Sequence, residues 1–212
     1  MQIIPSILVQ NVADFQACFD GLENSAPHIQ LDIADGEFVN NTTWADPKFF
    51  KDLKTNITIE LHLMLAHPLV EISKWNEVAN VTKILFHLES NDDIYEVISV
   101  IKTSGREVGI VLNPTTPIDK LATFVNELDT VMLMGVTPGK QGQTFIPETL
   151  NRLREVKTLY QNLFVELDGG VNESTLPEII QTGVDAVCPG SAIFGNDRSP
   201  KENVERMKKD FS

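Results

Sequence analysis

The sequence predicts an α/β fold, a single (β/α)8 barrel spanning residues 1–212. Three observations carry this expectation. Eight short runs rich in β-branched residues alternate with eight longer amphipathic stretches, the pattern of parallel βαβ units. The short runs are nearly continuous in apolar character, as strands covered on both faces must be. Nearly every run ends in polar or small residues. An open doubly wound sheet would gather its ligands at one switch point. Chemistry at the C-terminal ends of most strands instead surrounds the single site of a barrel of the TIM type.

The elements follow in order. Strand 2–6 ends in Pro5-Ser6 and leads to helix 12–24. Strand 29–33 carries Asp32, and helix 47–53 follows. Strand 58–64 carries His62, and helix 69–78 starts just after His67-Pro68. Strand 83–87 ends in His87, and Asn91 before Asp92-Asp93 is a start signal for helix 92–103. Strand 107–112 runs into Asn113-Pro114 ahead of helix 118–128. Strand 130–134 is followed by a glycine-bearing loop at 137–143 and helix 147–161. Strand 164–168 ends in Asp168-Gly169-Gly170, and Asn172-Glu173-Ser174 opens helix 174–181. Strand 185–189 leads into Gly190-Ser191, and helix 200–209 closes the chain. No linker, low-complexity segment or charge block marks a second domain.

Composition bounds the function. A chain of 212 residues that is 42% hydrophobic and 22% charged suits one globular domain with one sizeable core. Seventeen basic against 30 acidic residues leave a net charge of −13. That field repels phosphate backbones and anionic lipid, so neither nucleic acid nor a membrane surface is an expected partner. No stretch approaches the ~20 apolar residues of a membrane span, and the first residues lack a signal-peptide pattern. Cys18 and Cys188 read as small core residues in a reduced, cytoplasmic compartment.

Two segments concentrate the chemistry. In Gln30-Leu31-Asp32, alternate residues share a strand face, so Gln30 and Asp32 point together into a barrel. An inward carboxylate is costly unless paired, metal-bound or catalytic; the plainer alternative is that Asp32 caps the next turn. Asp35 before Gly36 reads as a turn residue. His62 shares a face with Glu60 and Met64, and reads either as a satisfied core histidine or as a metal ligand. His28 and His67 read as structural, and His87 as the other histidine with a place near the site. Asp168 ends a strand and faces a glycine pair, and Gly190-Ser191 end the next strand. Glycine-bearing loops after the last two strands are a phosphate signal in barrels. The loop 137–143 can close over substrate, with Lys140 as a local positive charge.

The residues at these positions resemble the ribulose-phosphate 3-epimerase family over nearly the whole chain. The resemblance shows in Pro5-Ser6-Ile7-Leu8, in 31–39 around Asp32, and in Leu61-His62-Leu63-Met64. It continues in Phe86-His87-Leu88-Glu89, in 112–117, in 138–143, in Asp168-Gly169-Gly170 and in 190–194. It implies a barrel of the ribulose-phosphate-binding type, one bound divalent metal (Zn, Mn, Fe or Mg), and proton exchange at C3 of a ketopentose phosphate. The substrate implied is a phosphorylated ketose, with ribulose 5-phosphate and xylulose 5-phosphate interconverted in the pentose phosphate pathway, and the chain is expected to self-associate into a homo-oligomer. Asp32 and Asp168 match the catalytic carboxylates. The implied metal set is Gln30, Asp32, His62 and Asp168, with Gln30 standing where the family has a second histidine. Ser6, His62, Met64 and Met134 match positions around the sugar. Gly139, Lys140, Gln141 and Gly142 form the altered lid, where Lys140 and Gln141 replace an aromatic residue and a glycine. Asp168, Gly169, Gly170, Gly190 and Ser191 complete the substrate set. Ala34 replaces a methionine.

An oxygen-rich set of this kind shifts preference from zinc toward Mn²⁺, Fe²⁺ or Mg²⁺. Three alternatives stand beside the pentose reading. One is an epimerase of a ketohexose 6-phosphate such as allulose 6-phosphate. Another is a non-catalytic sugar-phosphate-binding barrel. The third is a decarboxylase or aldolase on a related barrel, disfavoured because the Asp32 strand lacks the lysine of an Asp-x-Lys-x-x-Asp motif.

Overall fold

Residues 2–7 form the seam that closes the sheet. In the computed structural model, which describes residues 1–22 and 25–209, strand β1 (Gln2–Ile3) pairs in parallel with β9 (Ala186–Cys188). Strand β2 (Ser6–Ile7) pairs in parallel with β3 (His28–Ala34). Pro5 has no N–H to give a ladder, yet its carbonyl accepts from Gln30 N at 3.0 Å, while Ser6 N donates to Pro189 O at 3.1 Å. Thus β1 and β2 are two halves of one strand, hydrogen-bonded on one side to the last strand and on the other to the next. The remaining strands are β4 (Thr58–Met64), β5 (Val81–His87), β6 (Glu107–Leu112), β7 (Thr130–Met134) and β8 (Phe164–Asp168). Each pairs in parallel with its neighbours in sequence order. The result is the expected eight-stranded barrel.

The helices are α1 (Val12–Leu22), α2 (Pro47–Asp52), α3 (Pro68–Ile72), α4 (Ile94–Thr103), α5 (Thr149–Leu159), α6 (Leu176–Ile180), α7 (Ser191–Phe194) and α8 (Pro200–Lys209). Positions 23 and 24 of the expected first helix, and residues 210–212 of the expected domain, lie outside the described residues. Four expectations need correction. The stretch 118–128 is not an α-helix but two 3₁₀ segments, Ile118–Thr123 and Val125–Glu127. Buried Ile118 and Leu121 and half-buried Phe124 recur every three residues, which is the 3₁₀ period. The stretch 69–78 is a short α-helix continued by a 3₁₀ turn, Ser73–Trp75. The stretch 174–181 is helical only from Leu176, because Pro177 fits just the first turn of a helix. Helix α4 is capped by Asp93, whose side chain accepts from Glu96 N, rather than by Asn91. Helix α7 was not anticipated.

Two apolar shells hold the fold. The larger lies between sheet and helices and includes Phe15, Phe50 and Trp75, with Phe49 edge-on against Phe15 and Phe50 and Trp44 tilted against the same two rings. The smaller fills the barrel with Ile4, Leu85, Val111, Met132, Met134, Ala186 and Cys188. Three charged side chains interrupt that filling. Lys83 Nζ lies 2.6 Å from Glu166 Oε1 and 3.2 Å from Glu60 Oε2. Cys18 is half-buried rather than a full core residue, and both cysteines are free.

Candidate active site

Register brings the site together. Asp32 lies beside His62 in the β3–β4 ladder, Met134 beside Asp168 in β7–β8, and Ser6 beside Gln30 in β2–β3. Alternation then turns Gln30, Asp32, His62 and Asp168 inward together. All four are buried. His62 Nδ1 sits 3.0 Å from Asp32 Oδ1 and 3.3 Å from Asp168 Oδ2. Gln30 Nε2 donates to Asp32 Oδ1 at 2.9 Å and to Asp168 Oδ2 at 3.2 Å. Ser6 Oγ donates to Asp32 Oδ2 at 2.7 Å. The Asp32 side chain therefore caps no turn; Asp35 does, accepting from Glu37 N, Phe38 N and Ala66 N.

The electrostatics follow from this packing. Burial opposes a charge on His62, but hydrogen bonds to Asp168 and Asp32 outweigh it and raise the ring to about 10. Burial raises Asp168 above the ordinary carboxylate range, Asp32's charge adds to this, and His62 works against it. Burial drives His87 down to about 4. Without metal, His62 keeps its ring proton at neutral pH.

The donor set suits a divalent cation. Ligand atoms of Asp32, His62 and Asp168 lie within 4.8 Å of one another. Gln30 Oε1 is buried without a partner, and rotation of the amide presents it to the same group.

A cavity opens above the carboxylates. Asp32, Asp168, Ser6, Met64 and Met134 line its floor and walls. Its rim is built by Gly139, Lys140, Gln141 and Gly142 on one side and by Gly169, Gly170, Gly190 and Ser191 on the other. Gln30 and His62 lie behind the carboxylates rather than on the cavity wall. Gly169 and Gly170 have φ of 96° and 72°, and a Cβ on either would meet Val136 or Phe145. The lid is tied down at two points. Asn41 Nδ2 donates to Gly139 O at 2.9 Å, and Gln141 Nε2 donates to Ser6 O at 3.1 Å. Gln141 also lies against Gly190, where a side chain would collide with it. Lys140 is exposed.

Several contributing residues carried no sequence signal of their own. Thr43 Oγ1 donates to Asp32 O and accepts from Ala34 N, pinning the end of β3. Asn41 lies 98 positions from Gly139 in sequence and reaches the lid only in the fold. His28, exposed, contacts Thr58 at the far end of β3 from the site, and His67 pairs with Asp92.

Fold and site together define a barrel enzyme with a carboxylate pair at the C-terminal mouth. A sequence profile described as the Ribulose-phosphate 3 epimerase family matches residues 2–194, and the chain belongs to that family. It is 35% identical over 202 residues to the ribulose-phosphate 3-epimerase of Mycobacterium bovis, covering 92% of this chain and 86% of that protein. It is 34% identical over 218 residues to that of Escherichia coli K12, covering 99% and 96%. Among solved structures, 3-hexulose-6-phosphate synthase from Salmonella typhimurium superposes with a TM-score of 0.75 at 12% identity, covering 99% of this chain and 98% of that one. That likeness concerns the fold alone. The chain is thus an isomerase of the epimerase kind, built on a TIM-type barrel.

Proposed function

We propose that this epimerase interconverts ribulose 5-phosphate and xylulose 5-phosphate by moving a proton at C3 between Asp32 and Asp168. The observation that supports this most is that two carboxylates reach one cavity from β3 and β8, while His62 and Gln30 join them from behind. Epimerisation beside a carbonyl needs one group to take the carbon-bound proton and another to return a proton to the opposite face. One of the two must begin protonated. The raised Asp168 carboxyl has the direction required of that partner. Asp32, held by Ser6 Oγ–H, is the base. The loops at Gly169-Gly170 and Gly190-Ser191 receive the phosphate, and Lys140 supplies positive charge at the rim of an acidic protein. Ser6, Met64 and Met134 hold the sugar.

Gln30, Asp32, His62 and Asp168 would hold the divalent metal, which supplies charge to the enediolate oxygens when bound. Three oxygen donors and one nitrogen favour Mn²⁺, Fe²⁺ or Mg²⁺ over Zn²⁺. The test is deuterium entry at C3 of ribulose 5-phosphate in D₂O, run with each metal in turn. Exchange is expected with at least one. No exchange with any metal, together with intact phosphate binding, would leave a sugar-phosphate binder or an epimerase of another sugar. A ketohexose 6-phosphate is the second reading, resting on the altered lid at Lys140 and Gln141 and on Ala34 in place of a methionine. Faster exchange at C3 of allulose 6-phosphate in the same assay would decide for it.

A further inference from the structure

His62 meets both carboxylates through one ring nitrogen and spends the other on a second histidine. Its Nε2 lies 2.9 Å from His87 Nε2. Two ring nitrogens at that distance share one hydrogen, so one donates and the other accepts. The far edge of His87 decides which. There His87 Nδ1 lies 3.5 Å from Glu89 Oε2, a long contact, but neither atom has another partner among the described residues. An ionised carboxylate only accepts. The other oxygen of Glu89 is already occupied, accepting from Asn113 N at 3.1 Å and from the Thr116 hydroxyl. Arg152 in turn holds that loop by donating to Asn113 O at 3.3 Å and to Thr116 O at 2.7 Å. The hydrogen of His87 therefore sits on Nδ1. Its Nε2 is left to accept, and His62 Nε2 must donate. Both rings are fully buried, and Phe38 packs on His87 with centroids 4.7 Å apart, so neither can turn over in place.

We propose that Glu89 and His87 are positioning residues that dictate which nitrogen of His62 faces the carboxylate pair. Glu89 fixes the hydrogen on His87 Nδ1, His87 accepts from His62 Nε2–H, and His62 Nδ1 alone is free to ligate. The proposal rests on the reading that Asp32, His62 and Asp168 hold a metal. Histidine ligands are commonly oriented and made more basic by an outer partner that takes the other N–H. Here the carboxylate does so through an intervening ring, buried on the side of His62 away from the carboxylates.

Nitrogen-15 NMR of histidine side chains in the whole chain tests this, first without metal and then with Zn²⁺ as a diamagnetic probe. The expected result is an Nδ1–H tautomer for His87 in both states, and Zn²⁺ on Nδ1 of His62 with Nε2–H retained. An Nε2–H tautomer for His87, or Zn²⁺ on His62 Nε2, overturns the proposal. Chelator competition with Zn²⁺ is the second readout. His87→Phe keeps a ring against Phe38 but removes the acceptor, and is expected to weaken Zn²⁺ binding roughly 10- to 100-fold. Glu89→Gln is expected to weaken it less, and His87→Gln, whose carbonyl can still accept, to recover part of the loss. Unchanged affinity in a folded His87→Phe protein overturns the proposal. If the unaltered protein takes up no Zn²⁺ or Mn²⁺, the metal reading fails instead, and the His87 tautomer in the metal-free protein still decides the positioning chain.

Discussion

Asp32 and Asp168 stand on strands that are not neighbours, yet one amide and one imidazole touch both. Each direction of epimerisation uses both carboxylates, one to take a proton and the other to return one, so removing either should impair both directions. Asp32→Asn and Asp168→Asn are each expected to lower kcat about 10²- to 10⁴-fold, the usual worth of a positioned acid or base. Steady-state kinetics with circular dichroism on the same samples measures this. A folded variant within a few-fold of normal kcat would remove that residue from proton transfer. Gln30→His, which installs a second imidazole, is expected to tighten Zn²⁺ binding roughly tenfold, the equivalent of about 1.4 kcal/mol. Competition titration reads the change, and equal or weaker Zn²⁺ binding would show that Gln30 does not ligate. At this scale the sequence was informative where strand alternation decides direction: Gln30, Asp32, His62 and Asp168 all point where period two puts them. It was silent on Glu89, Asn41 and Thr43, whose roles come from loops folding back over strand ends. No local pattern encodes which backbone atom a loop side chain will reach.

Strand β5 carries the least expected feature of the elements, a lysine inside the barrel. Burial disfavours the charge on Lys83, but Glu166 and Glu60 more than compensate and hold it protonated. Burial and the Glu166 charge push Glu60 well above the ordinary carboxylate range, so the trio carries little net charge at neutral pH. Lys83→Met would leave two glutamates facing each other in an apolar filling. Breaking a buried ion pair by deleting one partner costs about 3–5 kcal/mol. Lys83→Met should lose stability on that order in urea unfolding, and adding Glu166→Gln to it should restore a large part. A loss below about 1 kcal/mol, the level of exposed pairs, would show that the trio is solvated from the N-terminal mouth. The eight strands were legible because doubly covered strands must be apolar along their whole length. The connections were less so. Between β6 and β7 the apolar residues Ile118, Leu121, Phe124, Val125 and Leu128 offer spacings of three and four, which fit a 3₁₀ segment as well as one face of an α-helix, so the pattern alone did not decide between them. Helix α7, four residues long, is too short to leave a periodic signal.

Across the molecule, an acidic chain of net charge −13 binds a cation more readily than an anion, so the site's charge state governs both metal and substrate. Among the described residues no helix is long and apolar enough to cross a membrane. His62 is one of the groups through which folding depends on pH. Its value of about 10 in the fold exceeds the ordinary ~6.5 of a histidine. A base raised on folding contributes stability that is whole below ~6.5 and is lost as pH climbs through about 10. The raised Asp168 carboxyl acts in the same sense, being proton-loaded in the fold where the unfolded chain would be ionised. The metal-free protein should accordingly melt at progressively lower temperature between pH 7 and pH 10. A metal on His62 must displace the proton that His62 otherwise keeps, so its affinity should rise with pH, by up to tenfold per unit below about 10. At a free metal concentration 100 times Kd, binding adds about 2.7 kcal/mol to stability. At a fixed Mn²⁺ concentration, the gain in melting temperature should therefore grow with pH, opposing the decline of the metal-free form. Melting curves at several pH values, with and without Mn²⁺, read both trends at once. A gain independent of pH, with Mn²⁺ shown to be bound, would mean that the metal sits elsewhere and that His62 keeps its proton in the loaded protein.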